Sequence, residues 1–158
     1  MKTRLENQTA IVTGSSSGNG RAIALALSSA GATVVCADLN KKARKEGYEE
    51  DIEIDTDDVI QRRGGKALYV QSDVRSASQV QGLVTHAASH FGRLDIMVNN
   101  AGIFPGLHTI LDESEEVFDS AMVVNAAAMK IFFRMLTARP REQSLLSSMT
   151  TLAVLQNI

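Results

Sequence analysis

Apolar residues recur along the chain in two alternating patterns. Thr9-Ala10-Ile11-Val12 and Ala32-Thr33-Val34-Val35-Cys36-Ala37 are continuous apolar or β-branched runs of strand length. Such runs, without polar alternation, predict strands covered on both faces. Lys66 to Gln71 and Leu94-Asp95-Ile96-Met97-Val98 extend the series. Between the first two, Ile23, Leu27 and Ala30 stand at helical spacing and Gly31 supplies a stop, which predicts a helix from about Gly18 to Ala30. Between the last two, Val80, Val84, Ala87 and Phe91 do the same for Ser76 to Phe91, with Gly92 as the stop. Strand and helix alternate, the mark of an α/β fold.

The later pattern is less regular. Asp112 is placed to cap a helix with Glu115 as its reciprocal partner. Phe118, Ala121, Met122, Asn125, Met129 and Phe132 then share one face, so Asn125 is a polar residue on an apolar stripe and needs a hydrogen-bonding partner. Ser144 to Ser148 reads as a short fifth strand. The chain is read as one domain over residues 1–158, with a charged insertion at about 40–65 and an irregular tail at about 140–158. Within the insertion Glu49 to Asp58 is dense in acids, which predicts a solvated face with a helix nearer Asp57 to Arg63.

Composition narrows the class. At 158 residues the chain suits a single domain with a real core. A net charge of −2 carries no basic signature for nucleic acid or an anionic membrane surface, and no run of about 18 apolar residues predicts a membrane helix. One cysteine, Cys36, excludes an internal disulfide and sits in an apolar run, as a buried inert thiol would. With no signal-peptide pattern at Met1 to Asn7, the default location is the cytoplasm. His86 and His90 are four apart, a metal-holding spacing, but they lie beside the apolar stripe without an evident third ligand, so no metal is expected.

The candidate chemistry lies at Thr13-Gly14-Ser15-Ser16-Ser17-Gly18-Asn19-Gly20, between the first strand and the first helix. Strand, glycine-rich turn and helix aim backbone N–H groups and a helix N-terminus at an anion. Gly14 permits an unusual turn, while Gly18 and Gly20 remove side chains where a pyrophosphate would approach. By itself the pattern also fits a serine–glycine corner. Asp38 ends the second strand about 20 residues further on, where a carboxylate accepts both hydroxyls of an adenosine ribose and repels a 2′-phosphate. A solvated aspartate ending a strand is the plainer alternative. Asp73, after the third strand, and Asn99-Asn100-Ala101-Gly102, after the fourth, lie at the same sheet edge.

Taken together, Thr13-Gly14-x-x-x-Gly18-x-Gly20, Asp38, Asp73-Val74 and Asn99-Asn100-Ala101-Gly102 resemble the short-chain dehydrogenase/reductase family over about residues 7–135. Asn19 replaces the usual branched aliphatic residue. The resemblance implies an NAD(P)-dependent oxidoreductase on a doubly wound, Rossmann-like parallel sheet of order 3-2-1-4-5, transferring hydride between a nicotinamide cofactor and a small-molecule alcohol or carbonyl. It implies pyrophosphate contacts from Gly14, Ser16, Gly18, Asn19 and Gly20, and ribose contacts from Asp38. Asp73 and Val74 would flank the adenine, with Asn100, Ala101 and Gly102 near the nicotinamide-side ribose. Asn125 would serve the proton relay, and Ser148 would orient the substrate. Asp38 favours NAD, with NADP as the second candidate. A homo-oligomer is left open.

The resemblance breaks near the end. The family's catalytic tyrosine would fall beyond Ile158, and no Tyr-x-x-x-Lys occurs in the chain. The only tyrosines are Tyr48 and Tyr69, and the last lysine is Lys130. The C-terminal part of the fold is expected to be missing and the chain as it stands to be inactive. A non-catalytic nucleotide-binding or interaction protein derived from the fold is the alternative reading. A generic flavodoxin-like domain leaves the Asn-Asn-Ala-Gly stretch unexplained. The substrate is not readable. Phe104, Pro105 and Leu107 are equally one apolar wall of a pocket or a surface loop.

Overall fold

The computed structural model describes residues 4–45, 51–106, 114–137 and 150–153, with 127–137 and 150–153 as backbone only. Its elements run β1 (Thr9–Thr13), α1 (Gly18–Ser29), β2 (Thr33–Asp38), α2 (Thr56–Arg62), β3 (Ala67–Gln71), α3 (Ala77–Phe91), β4 (Ile96–Asn99), α4 (Glu115–Thr137) and β5 (Thr150–Ala153). The strands form one parallel sheet of order β3-β2-β1-β4-β5, the doubly wound order expected from the sequence.

Neighbouring residues of β1, β2 and β4 belong to different cores, which is why these strands read as unbroken apolar runs. Ile11, Val35, Ala37 and Met97 pack with Val80, Leu83, Val84 and Ala87 of α3. Val12, Val34, Cys36 and Val98 pack with Ala24 of α1 and Ile60 of α2 on the other face. Burying each Val, Ile, Leu or Met side chain among these stabilises the fold by about 1.5–3 kcal/mol. At the amino edge of the sheet the Asp95 carboxylate accepts the Thr9 N–H at 2.8 Å and is gripped by the Arg93 guanidinium, which aligns β1 with β4.

Helix boundaries follow local chemistry. Gly31 (φ 97°) and Gly92 (φ 75°) take the left-handed conformation that stops α1 and α3. Ser76 caps α3 by accepting the Gln79 N–H. The cap of α4 differs from expectation. The Ser114 hydroxyl accepts the Val117 N–H, and Asp112 lies outside the described residues. Ser114 stands immediately before the first helical residue, where a hydroxyl reaches the third helical N–H.

Three further expectations change. The fifth strand read at 144–148 falls outside the described residues, and the strand paired with β4 is Thr150–Ala153, with Ile96 opposite Thr150 and Asn99 opposite Ala153. β-branched Thr150 and Thr151 suit a strand at that edge of the sheet. On α4 the expected buried stripe is open where side chains are described, with Phe118 57% and Met122 48% exposed. The acidic segment is solvated at Asp51 and Glu53 but buried at Thr56 and Asp57, where α2 turns down onto the sheet.

Candidate functional site

Because every strand runs the same way, the segments leaving β1, β2, β3 and β4 gather at one edge. They enclose a cleft of about 820 Å³. From the glycine loop it takes Gly14, Ser16, Ser17, Gly18 and Asn19; from the segment after β2 it takes Asp38, Leu39, Asn40, Lys42 and Arg44. Ser72 to Arg75 and Ala101 to Phe104 complete it with Val124 of α4.

Thr13 joins the two central strands beneath this cleft. Its hydroxyl donates to the Val98 carbonyl at 3.2 Å and accepts the N–H groups of Asn100 (3.0 Å) and Ala101 (3.1 Å). The Asn100 side-chain amide returns the tie, donating to the carbonyls of Thr13 at 2.9 Å and Gly14 at 3.3 Å. Asn100 is therefore a buried brace under the cleft, not part of its lining.

The glycines divide their work. Gly14 (φ 66°) has Ala101 Cα only 2.9 Å from where a Cβ would stand. A Cβ on Gly20 would fall on the Gly14 carbonyl and the Asn100 amide, so this glycine serves loop packing and lies outside the cleft lining, unlike the pyrophosphate role expected for it. Gly18 faces open space at the mouth of α1, where the Ser17 side chain makes no cap bond. The helix start thus presents its first turn to the cleft.

Asp38 links the loop to the tip of β2. Its carboxylate accepts the Ser16 N–H at 3.0 Å and the Asn40 N–H at 3.5 Å, and the Ser16 hydroxyl donates to the Asn40 carbonyl at 2.6 Å. Across the cleft the Asp73 carboxylate is held in a fork by Arg75, with contacts of 2.7 to 3.0 Å. That hydrogen bonding, against a smaller desolvation effect, keeps the Asp73 carboxyl below the usual carboxylate range. Val74 is buried beside it, and the buried Ser72 hydroxyl has no hydrogen-bond partner among the described residues.

The Asn125 side chain finds its partner at the surface. It accepts the Ile103 N–H at 2.9 Å and donates to the Ile103 carbonyl at 3.1 Å, fastening the segment after β4 to α4. The expected partner exists; the expected burial does not.

Of the residues singled out from the sequence, the cleft brings together Gly14, Ser16, Gly18, Asn19, Asp38, Asp73, Val74, Ala101 and Gly102. Ser148 lies outside the described residues. Phe104 lines the cleft, half exposed, and Leu107 lies outside the described residues. Sequence reasoning missed Lys42, Arg44, Arg75 and Ile103. The Asp-x-Arg spacing of Asp73 and Arg75 was the available signal, since a two-residue separation across a turn allows such a fork.

Cys36 and the histidine pair lie outside the cleft lining. Burial, reinforced by the Asp57 charge, pushes the Cys36 thiol up to about 12, so it is no nucleophile at neutral pH. His86 and His90 stack on the exposed face of α3 with centroids 5.8 Å apart, and no group of three metal-binding side chains occurs among the described residues. No described helix is long and apolar enough to cross a membrane.

Comparison with known proteins matches this geometry. Residues 8–143 match the family model for short chain dehydrogenase. An uncharacterized oxidoreductase of Methylorubrum extorquens is 42% identical over 120 residues, covering 74% of this chain and 45% of the relative. Among solved structures, a short-chain type dehydrogenase/reductase from Mycobacterium marinum superposes with a TM-score of 0.78 at 28% identity, over 96% of this chain and 57% of that one. A short chain dehydrogenase/reductase from Burkholderia phymatum in complex with NAD gives 0.70 at 28% identity, over 84% and 44%. The chain spans about half the length of these relatives. With the strand order, the glycine loop and the family match in agreement, this chain belongs to the short-chain dehydrogenase family.

Proposed function

We propose that the chain is the dinucleotide-binding half of an NAD(P)-dependent oxidoreductase that moves hydride between a nicotinamide cofactor and an alcohol or carbonyl. The observation that carries this reading is the cleft itself: Asp38, the first turn of α1 and the Ala101–Gly102 backbone converge on one space at the carboxyl edge of the sheet. The clearance at Gly18 and the buried Ser72 hydroxyl, which has no hydrogen-bond partner among the described residues, fit a ligand with phosphates and hydroxyls. The NAD complex of the Burkholderia relative supports the same ligand.

Gly14, Ser16, Gly18 and Asn19 would hold the pyrophosphate, and Asp38 the adenosine ribose. Asp73 and Val74 would flank the adenine, and Ala101 and Gly102 the second ribose. Asn100 and Gly20 act beneath, by fixing the loop. Asp38 favours NAD over NADP by repelling a 2′-phosphate, while Lys42 and Arg44 on the same wall keep NADP as a second candidate. When bound, the nicotinamide supplies the hydride acceptor or donor. Asn125 grips the Ile103 backbone at the cleft and keeps its proposed place in the proton relay, and Ser148 keeps its proposed role in orienting substrate.

A tuned proton donor is the component these residues do not provide. Carbonyl reduction needs one, and no Tyr-x-x-x-Lys occurs in the sequence. Hence the second reading, a nucleotide-binding module without turnover, applies to the 158-residue polypeptide by itself. The test is a paired assay on the purified chain: NADH fluorescence titration for binding, and absorbance at the nicotinamide band with a panel of short alcohols and ketones for turnover. Saturable binding without turnover is expected. Turnover would overturn the second reading, and absence of binding would overturn both.

A further inference from the structure

Arg21 is the one charged residue of α1 that points inward, only 2% exposed. Its guanidinium donates to the carbonyls of Ile54 and Asp51, each at 2.8 Å, and to the Thr56 hydroxyl at 3.2 Å. Thr56 passes the contact on, for its hydroxyl donates to the Ser15 carbonyl at 2.9 Å. Ser15 is fully buried between Gly14 and Ser16, which both line the cleft. Its other ties are longer, since its N–H and its hydroxyl share the Ala37 carbonyl at 3.3 Å each. The Thr56 bond is thus the shortest one on the residue, and with the Ser16 N–H held by Asp38 at 3.0 Å it fixes both polar ends of the peptide unit between Ser15 and Ser16. A second tie runs in parallel. Lys41, three residues past the end of β2, meets Asp57 at 3.1 Å, Asp55 at 3.5 Å and Asp58 at 3.7 Å.

We propose that Arg21 and Thr56 are positioning residues for the dinucleotide: they fasten segment 51–56 beneath the glycine loop and thereby set the loop's affinity for the pyrophosphate. The physical reason is preorganisation. A loop with two left-handed glycines has many unbound conformations, and each must be excluded when the anion binds. A buried hydroxyl on the Ser15 carbonyl removes that freedom beforehand. Arg21 orients the hydroxyl: by donating to the Thr56 oxygen, it leaves that oxygen's own proton for Ser15. The acidic segment, although outside the cleft, therefore acts on the site. By reciprocity, ligand on the loop must also steady segment 51–56.

The inference rests on the dinucleotide reading. The test compares the wild-type chain, Thr56→Val and Thr56→Ser by NADH titration and by amide hydrogen exchange. Thr56→Val keeps the shape and loses the hydroxyl, and should weaken NADH binding about tenfold and speed exchange at residues 15–18. Thr56→Ser, which keeps the hydroxyl, should restore both. Equal NADH affinity in all three proteins would overturn the inference while leaving the dinucleotide reading intact. A wild-type chain that binds neither NADH nor ADP would overturn that reading, and this inference with it. If Thr56→Val does not fold, the wild-type chain decides. NADH should slow exchange in segment 51–56, and unchanged exchange there at saturation would overturn the proposal.

Discussion

The carboxylate of Asp38 accepts the Ser16 N–H at 3.0 Å, so the tip of β2 and the glycine loop form a single wall of the cleft. One residue thereby has two tasks, because the acceptor offered to a ribose is also the anchor of the loop that meets the phosphates. Replacement by alanine removes both. Asp38→Ala should weaken NADH binding by about tenfold or more, the loss of a charged hydrogen bond being about 1.5–3 kcal/mol. NADPH should lose less, since the repulsion of its 2′-phosphate disappears together with the anchor. Parallel fluorescence titrations check the shift, and an unchanged NADH to NADPH ratio would contradict the assignment.

Two glycines of the loop should respond differently to the same change. Gly20→Ala drives a Cβ into the Gly14 carbonyl and the Asn100 amide, neither of which can retreat without breaking the tie between β1 and β4. The expected loss is about 3 kcal/mol or more by urea unfolding. Gly18→Ala meets open space and only has to adopt φ near 56°, a strain of about 1–2 kcal/mol. Its new methyl faces the cleft, so ligand affinity should fall more than stability. Equal stability losses for the two variants would contradict this division.

The Asp73–Arg75 fork gives a signed pH dependence. The hydrogen bonds from Arg75 lower the folded-state pKa of Asp73 beneath its unfolded value. A depressed carboxyl contributes stability that is fully present above the unfolded value, about 3.9, and lost as pH falls through the folded one. Arg75→Met should therefore cost stability at pH 7, and the gap to wild type should narrow as acid protonates Asp73. Urea titrations at pH 7 and near pH 3 check it. A gap that widens toward acid would refute the sign.

Much of the fold was readable because each element declared itself locally. Val34, Val35, Cys36 and Ala37 are apolar without interruption, and the two cores on either side of the sheet explain why. Gly31 and Gly92 marked helix ends by conformations other residues adopt at a cost. The site was legible as backbone chemistry: all the residues expected to contact the cofactor line the cleft except Gly20 and Asn100. What escaped were contacts between segments far apart in sequence. Arg21 carried no signal of its own in the first helix, and Thr56 stood within a solvated acidic run; only their meeting under Ser15 gives either a task. Gly20 carried the right residue for another reason, clearance beneath the loop instead of room for a ligand. The apolar positions Phe118 and Met122 obeyed helical spacing, yet spacing alone does not say what a face packs against.

The central claim is that the cleft at the carboxyl edge of the sheet binds one dinucleotide. Calorimetric titration of NADH into the purified chain, followed by competition with ADP, tests it most directly. The account predicts saturation at about one NADH per chain and displacement by ADP, which shares the adenosine and pyrophosphate groups met by Asp38 and the glycine loop. No heat of binding at millimolar NADH, or binding that ADP does not compete with, would contradict it.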